Sequence, residues 1–226
     1  IPRLGIRNTG HSEGLHGMAL GGPGNWGGME RGVTKTYPTT TFPQAYGLGE
    51  TWDTELIRKV ADIEATEVRF YAQNANQQRG GMVMRAPNSD LARDPRWGRV
   101  SEGYGEDPYT NGVFAVASVK GYQGNNLADG EHIAACLKHY IGYGASEAGR
   151  DYVYTEISPQ TLWDTYMLPY EMGVKAGAVT LMSGFHDISG VPASANHYTM
   201  REVLKGRWSH DGFVVSDWGS IVQLIS

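Results

Sequence analysis

A run of three apolar residues, Phe213-Val214-Val215, stands between Gly212 and the polar pair Ser216-Asp217. Continuous apolar character over so short a span, without polar alternation, predicts a fully buried strand of a parallel sheet. Asp217 then sits at the C-terminal edge of that strand, where α/β sheets and barrels bind ligands and carry out chemistry. Taken alone, a cap on the next helix explains an Asp there better, because Asp before a helix is common. The rest of the chain has to decide between the two.

Arg3-Leu4-Gly5-Ile6 reads as a first strand, followed by His11-Ser12-Glu13-Gly14-Leu15-His16-Gly17. Residues 21–41, rich in Gly, Thr and Pro, read as a loop. Asp53, with Glu55 in the first turn, starts a helix carrying Leu56, Val60 and Ile63 at helical spacing and running to about Ala72. Gly80-Gly81 breaks the chain, and Met82-Val83-Met84 is a short strand opening into a long polar loop over 86–99. A helix starts at Pro108 and carries Val113, Phe114, Val116 and Val119 before Gly121 and Gly124 end it. Residues 133–137 are strand-like and end in Lys138-His139. Ser158-Pro159 caps a helix through Leu162, Tyr166 and Leu168 that Pro169 kinks and Gly177 closes. A strand over 178–182 and a helix over 196–208 lead into the Phe213 strand.

Strands alternating with helices mean βαβ units and a parallel sheet. The alternation does not by itself separate a barrel from an open sheet. Polar loops after almost every strand, charged candidates spread over several strand ends and the lack of a Gly-rich dinucleotide fingerprint favour the barrel.

Composition removes several classes of function. With 226 residues, 40% of them hydrophobic, the chain has enough material for a real core. A net charge of -5 and no basic stripe argue against nucleic acid or an anionic membrane as the main partner. The single cysteine, Cys136, excludes an internal disulfide and a Cys-based metal cluster, and its neighbours Ala134, Ala135 and Leu137 mark it as core. No run is long and apolar enough to cross a bilayer, and Ile1-Pro2-Arg3 carries no signal peptide. A chain that lacks an initiating Met and stops at Ile225-Ser226, just after a motif, reads as a piece of something longer.

The chemical candidates gather at strand C-termini: Glu13 and His16, Arg99 and Glu102, Lys138 and His139, and Asp217. A carboxylate nucleophile among Arg, Lys and His stays ionised, and the same donors bind the hydroxyls of a polyol. Glycoside hydrolysis fits such a site. Each group also has a structural explanation: Arg99 pairing with Glu102, His139 as a core histidine, Glu13 as a solvated loop charge. Their joint position shifts the balance. No metal is expected, since His11 and His16 are five apart and no His-Glu-x-x-His helix exists.

Arg93-Asp94-Pro95-Arg96-Trp97-Gly98-Arg99, continuing through Glu102 to Gly105-Glu106-Asp107-Pro108-Tyr109, resembles the signature of the glycoside hydrolase family 3 barrel domain. Lys138-His139-Tyr140 and Val214-Val215-Ser216-Asp217-Trp218 match two further motifs of that family in the expected order. The resemblance covers nearly the whole chain. It implies a single domain over residues 1–226, a (β/α)8 TIM-type barrel incomplete at its C-terminal end, and a retaining β-glycosidase acting without a cofactor. In that reading Asp217 is the nucleophile, Arg99, Lys138 and His139 hold the sugar's hydroxyls, Glu13 grips its far edge, and Trp218 lines the substrate site. The resemblance also implies a periplasmic or secreted protein.

The chain departs from the family pattern at several points. Many glucosidases of the family have Asp where this chain has Glu13, and Glu resembles the xylosidase branch; one extra methylene narrows the space for a C6 hydroxymethyl group. Trp218 resembles the glucosidases instead, so both sugars remain open. Phe185 falls where some members have a Tyr near the nucleophile. A retaining enzyme also needs an acid about 5 to 5.5 Å from the nucleophile. Two-domain members take it from a domain that follows the barrel, and the loop over 142–152 lacks the His-Asp pair that the hexosaminidase branch uses. Glu147 and Asp151 are therefore poor candidates, and Glu102 and Glu106 are expected to brace the loop of Arg96 and Arg99. A glycoside phosphorylase of the same fold and a sugar-binding fragment without its acid are the competing readings.

Overall fold

The computed structural model describes residues 2–5, 10–19, 38–74 and 81–225. Of the loop expected over 21–41, residues 21–37 lie outside the described residues, as does Gly80, and 38–41 carry no regular structure. Residues Pro2–Leu4 form a short 3-10 turn, and Gly5 follows at φ +67. Of the strand expected over Arg3 to Ile6, Ile6 lies outside the described residues, and Arg3 to Gly5 are not extended, because a left-handed glycine turns the chain there. Strand β1 is instead His11–Ser12, immediately before Glu13.

Helix α1 spans Ala45–Gly49, and α2 spans Thr54–Gln73. Asp53 caps α2 as expected, its carboxylate accepting from the N–H groups of Glu55 and Leu56 at 3.0 Å each. β2 is Val83–Met84 and α3 is Pro108–Gln123, which Asp107 caps through Thr110 N–H at 2.7 Å. The buried face of α2 is Ile57, Val60, Ala61, Ala65, Val68 and Tyr71, and two of the three residues expected to mark it, Leu56 and Ile63, are exposed. The small side chains decide this. Ala61 meets Gly121 of α3, where an added Cβ would lie 2.6 Å from Ala61 Cβ and 2.3 Å from Arg58 O. Gly121 therefore lies inside α3 as the contact that brings the helices together, and Gly124 ends it.

Glu64 lies on the same buried face, taking the Tyr122 hydroxyl on Oε2 while Oε1 has no partner. Burial raises its carboxyl from 4.5 to about 7, against the opposing pull of the Tyr122 hydrogen bond. A carboxyl whose pKa rises on folding binds more protons folded than unfolded, so its stability is intact below about 4.5 and declines as pH climbs toward 7. Glu64→Gln is expected to remove this loss, which amounts to roughly 3 kcal/mol above pH 7. Thermal melts at pH 5 and pH 8 check it: the variant gains on the parent at pH 8 and not at pH 5, and an equal change at both would contradict it.

β3 is Cys136–Tyr140, all five residues buried and Cys136 in the core as expected. The strand expected over 133–137 lies three residues later, so Lys138 and His139 are in the strand rather than after it. Charged residues end strands only where they need solvent, and here His139 finds buried partners. Ser158 caps α4, Pro159–Thr161, which continues through a wide π-type turn, Leu162–Tyr166, into α5, Met167–Lys175. The π turn precedes Pro169, whose missing N–H leaves the regular ladder incomplete, and Gly177 closes the segment at φ +98. β4 is Thr180–Ser183, and β5 (Asp187–Ile188) with β6 (Val191–Pro192) makes a small antiparallel hairpin. A π-type helix over Tyr198–Arg207 leads to β7, Phe213–Ser216.

β1 pairs with β2, and β3 with β4 and then β7, all in parallel. Parallel bridges from Val83 to Ala134 and from Asn88 to Lys138 join the two groups, so strand order across the sheet follows chain order. The architecture is α/β with a parallel arc. Among the described residues β7 pairs only with β4 and β1 only with β2, so the arc does not close into a ring. β7 is therefore not the fully buried strand that its apolar run predicts. Phe213 is 42% exposed and Val214, Val215 and Ser216 are half-buried, because an edge strand has a neighbour on one side only.

Candidate active site

The C-terminal ends of these strands open on a cavity of about 540 Å³. Glu13, Arg99, Lys138, His139, Asp217 and Trp218, the six residues expected in a site, all line it. His16 and Glu102 line it as well.

Asp217 directly follows β7 and is 8% exposed. Its Oδ1 accepts the N–H of Trp218 at 2.7 Å, and its backbone carbonyl accepts from Ser220 N–H at 3.1 Å. The turn-forming role thus uses one oxygen. Oδ2 is buried without a hydrogen-bond partner. Burial raises the Asp217 carboxyl above its usual range, while the Trp218 N–H, Lys138 and Arg99 pull the other way.

His139 Nε2 lies 3.4 Å from this free oxygen, yet no hydrogen bond joins them. The network around the ring explains it. Arg99 Nη2, which can only donate, reaches Nε2 at 3.1 Å, so Nε2 carries the lone pair and the proton sits on Nδ1. Nδ1 in turn donates to Asp90 Oδ2 at 2.7 Å. Burial and then the charges of Arg99 and Lys138 push His139 well below its usual pKa, so the ring is neutral. Asp90 also takes the Tyr170 hydroxyl at 3.2 Å and lies wholly buried, its carboxyl raised by burial to about 7.

Arg99 holds Glu102 through two bonds of 2.7 Å, Nε to Oε1 and Nη2 to Oε2, and its guanidinium stands 5.5 Å from the centre of the Tyr143 ring. Glu102 thus braces Arg99 as expected. Glu106 does not brace Arg96, whose partner is Asp94 at 2.7 Å; residues two apart in the loop meet without a long-range contact. Lys138 is buried, and its charge acts on both Glu102 and Asp217.

Glu13 pairs with Arg85, Nη1 to Oε1 at 2.6 Å. Asp151 lines the cavity but is already engaged, accepting from the Tyr143 hydroxyl and from Trp97 Nε1 at 3.3 Å, and Glu147 is exposed outside it. Phe185 lines the mouth, with Tyr152 packed edge-on against it at 4.6 Å. Every other carboxylate lining the cavity has a partner, and Asp217 alone among them keeps a buried oxygen free. Among the described residues no group of three or more His, Cys, Asp and Glu side chains could hold a metal ion.

Two further residues shape the site, Asp90 and Arg85. Arg85 follows the Met82–Met84 run and directly follows β2, as Asp217 directly follows β7, so the sequence carries a signal for it. Asp90 gave none: its bond to His139 crosses 49 residues of chain.

Residues 27–226 match the family model described as the glycosyl hydrolase family 3 N terminal domain. A periplasmic beta-glucosidase of Salmonella typhimurium is 36% identical over 186 residues, covering 82% of this chain and 23% of its own length. A beta-xylosidase of Formosa agariphila is 35% identical, covering 98% and 29%. A crystal structure of a beta-glucosidase from Listeria innocua in complex with isofagomine superposes with a TM-score of 0.77 at 39% identity, covering 82% of this chain and 25% of that one. A b-glucosidase from Erythrobacter marinus superposes with a TM-score of 0.83 at 32% identity, covering 98% and 27%. The chain thus spans about a quarter of the length of these relatives. With the family's model matched over residues 27–226 and relatives of this similarity, the chain belongs to glycosyl hydrolase family 3.

Proposed function

We propose that this chain carries the nucleophile half of a retaining β-glycosidase, with Asp217 attacking the anomeric carbon of a terminal β-linked glucose or xylose. The observation that carries the reading is the free, buried Asp217 Oδ2 facing a cavity lined by Arg99, Lys138 and His139. A nucleophile must be ionised and unencumbered: burial raises the Asp217 carboxyl, Lys138 and Arg99 oppose that rise, and neutral His139 leaves Oδ2 free to attack. Attack forms a bond from Oδ2 to the anomeric carbon as the aglycone leaves with a proton from the general acid. Water then attacks from the face the aglycone vacated, gives a proton back to that group and breaks the carbon–Oδ2 bond, restoring the Asp217 carboxylate.

The general acid belongs, in this reading, to a part of the protein outside these 226 residues, since Glu13, Glu102 and Asp151 are each held by a partner. The parallel arc is read as part of a (β/α)8 barrel whose remaining units also lie there. Lys138 and Arg99 bind sugar hydroxyls, His139 offers one only its Nε2 lone pair in exchange for the Arg99 contact, and exposed Trp218 meets the aglycone side.

Incubation with dinitrophenyl 2-deoxy-2-fluoro-β-glucoside and, in parallel, the xyloside tests this directly, because the leaving group needs no acid. The expected result is one glycosyl adduct per chain by intact mass, mapped to the peptide carrying Asp217, with the faster reagent naming the sugar. An adduct on Glu13 or Glu102, or none from a folded sample, contradicts the assignment.

A further inference from the structure

Arg85 has no part in the chemistry just described, yet it sits inside the same cavity. Its position follows from strand register. His11 pairs with Val83 and Ser12 with Met84, and Arg85 N–H continues the ladder to Ser12 O at 3.0 Å. The next residues on each strand, Glu13 and Arg85, are thereby brought side by side, and their side chains meet at 2.6 Å.

Both partners are held. Glu13 begins a tight loop closed by Ala19 N–H bonding Glu13 O at 2.8 Å. Within that loop a Cβ on Gly14 would fall 2.5 Å from Gly17 O, so its path leaves little freedom. Arg85 Nε is buried with no hydrogen-bond partner, the unmet donor at one end of the cavity as Asp217 Oδ2 is the unmet acceptor at the other. The pair stands at the β1–β2 end of the arc and Asp217 at the β7 end, with Lys138 and His139 on the strand between.

We propose that Arg85 is a specificity-determining residue: with Glu13 it forms a fixed donor–acceptor pair that reads neighbouring neutral hydroxyls at the edge of the sugar opposite Asp217. A guanidinium only donates and a carboxylate only accepts, whereas a sugar hydroxyl does both. Adjacent hydroxyls match the pair, one donating to Glu13 and the next accepting from Arg85. A ligand carboxylate meets repulsion from Glu13, and an ammonium group meets it from Arg85. The charges of the pair cancel, which suits two neutral hydroxyls better than one charged group. This assignment rests on the sugar-binding reading of the cavity but needs no covalent step.

Equilibrium binding separates the two claims. Calorimetry is run with phenyl 1-thio-β-D-glucoside and xyloside, which are not turned over, and with the 3-deoxy and 4-deoxy forms of the tighter binder. For the parent chain, removing one of these hydroxyls is expected to weaken binding about tenfold or more, the usual effect of losing a hydrogen bond to a charged group. In Arg85→Met, which keeps the apolar stem, the parent sugar and its deoxy form are expected to bind within about threefold of each other. Arg85→Lys, which keeps the charge but not the planar fork, is expected to fall between the two. Hydroxyl dependence that survives unchanged in Arg85→Met, with both proteins folded by circular dichroism, overturns the role of Arg85 alone. No binding of either thioglycoside by the parent overturns it together with the sugar-binding reading.

Discussion

Asp217→Gly is expected to lower turnover of an activated aryl β-glycoside by ~10⁴-fold or more while the chain keeps its fold. The size follows from the residue's position. Asp217 Oδ2 is the buried carboxylate oxygen in the cavity that has no partner, and the carboxylates near it are engaged with Arg99 and Arg85. None can take its place without first losing an ion pair. Folding is spared for the same reason: burial works against the charge of Asp217, and its one side-chain bond is to the N–H of the next residue. Initial rates with a dinitrophenyl glycoside and a thermal melt of the same sample measure the two parts. A rate within tenfold of the parent would remove Asp217 from the reaction.

Arg99→Met is expected to cost about 2–3 kcal/mol of stability, because it leaves the half-buried Glu102 carboxylate without its two-bond partner, with only Asn88 Nδ2 still donating to it at 3.3 Å. Both side chains are largely shielded, at 20% and 24% exposure, so solvent does little to soften the loss. The effect has a pH signature. In the parent, burial raises the Glu102 carboxyl but Arg99 outweighs it, and the net pKa lies below its usual value. A depressed carboxyl contributes stability above its unfolded pKa and loses it as pH falls through the folded pKa. The gap between parent and variant should therefore be widest near neutral pH and shrink in acid. The variant also removes one of the charges that hold the Asp217 carboxyl down, which should move the acid limb of the labelling rate to higher pH. Melts from pH 3 to 8 test the first effect and pH profiles of adduct formation the second; a gap that does not depend on pH would contradict the ion-pair explanation.

The parts of the fold legible in the sequence were those whose cause is local. Asp53 and Pro108 announced their helices because caps and first-turn residues act within a few positions, and Gly124 marked the end of α3 for the same reason. The errors arose where a distant partner decided. The buried face of α2 depends on the approach of α3 at Gly121, so Leu56 and Ile63 looked interior and are not. β3 runs on through Lys138 and His139 because Asp90 and Arg99 meet the ring of His139. The residues lining the cavity were legible because strand ends gather them: Glu13 and Asp217 directly follow strands, Lys138 and His139 lie near the end of one, and Arg99 comes from the loop after β2. What pairing does to them was not: Arg85 beside Glu13, and Asp90 fixing the proton of His139, are consequences of register and of a contact across the sheet.

The central claim is that the oxygen attacking the anomeric carbon belongs to Asp217. Removing that side chain leaves room for a small anion on the face it occupied, so the decisive measurement is azide rescue of Asp217→Gly with dinitrophenyl β-glucoside and β-xyloside, the product being identified by proton NMR. The expected result is recovery of activity with azide and a glycosyl azide of α configuration, formed by one displacement from the side opposite the leaving group. No rescue of a folded variant, or a β-configured azide, would mean that another group makes the attack.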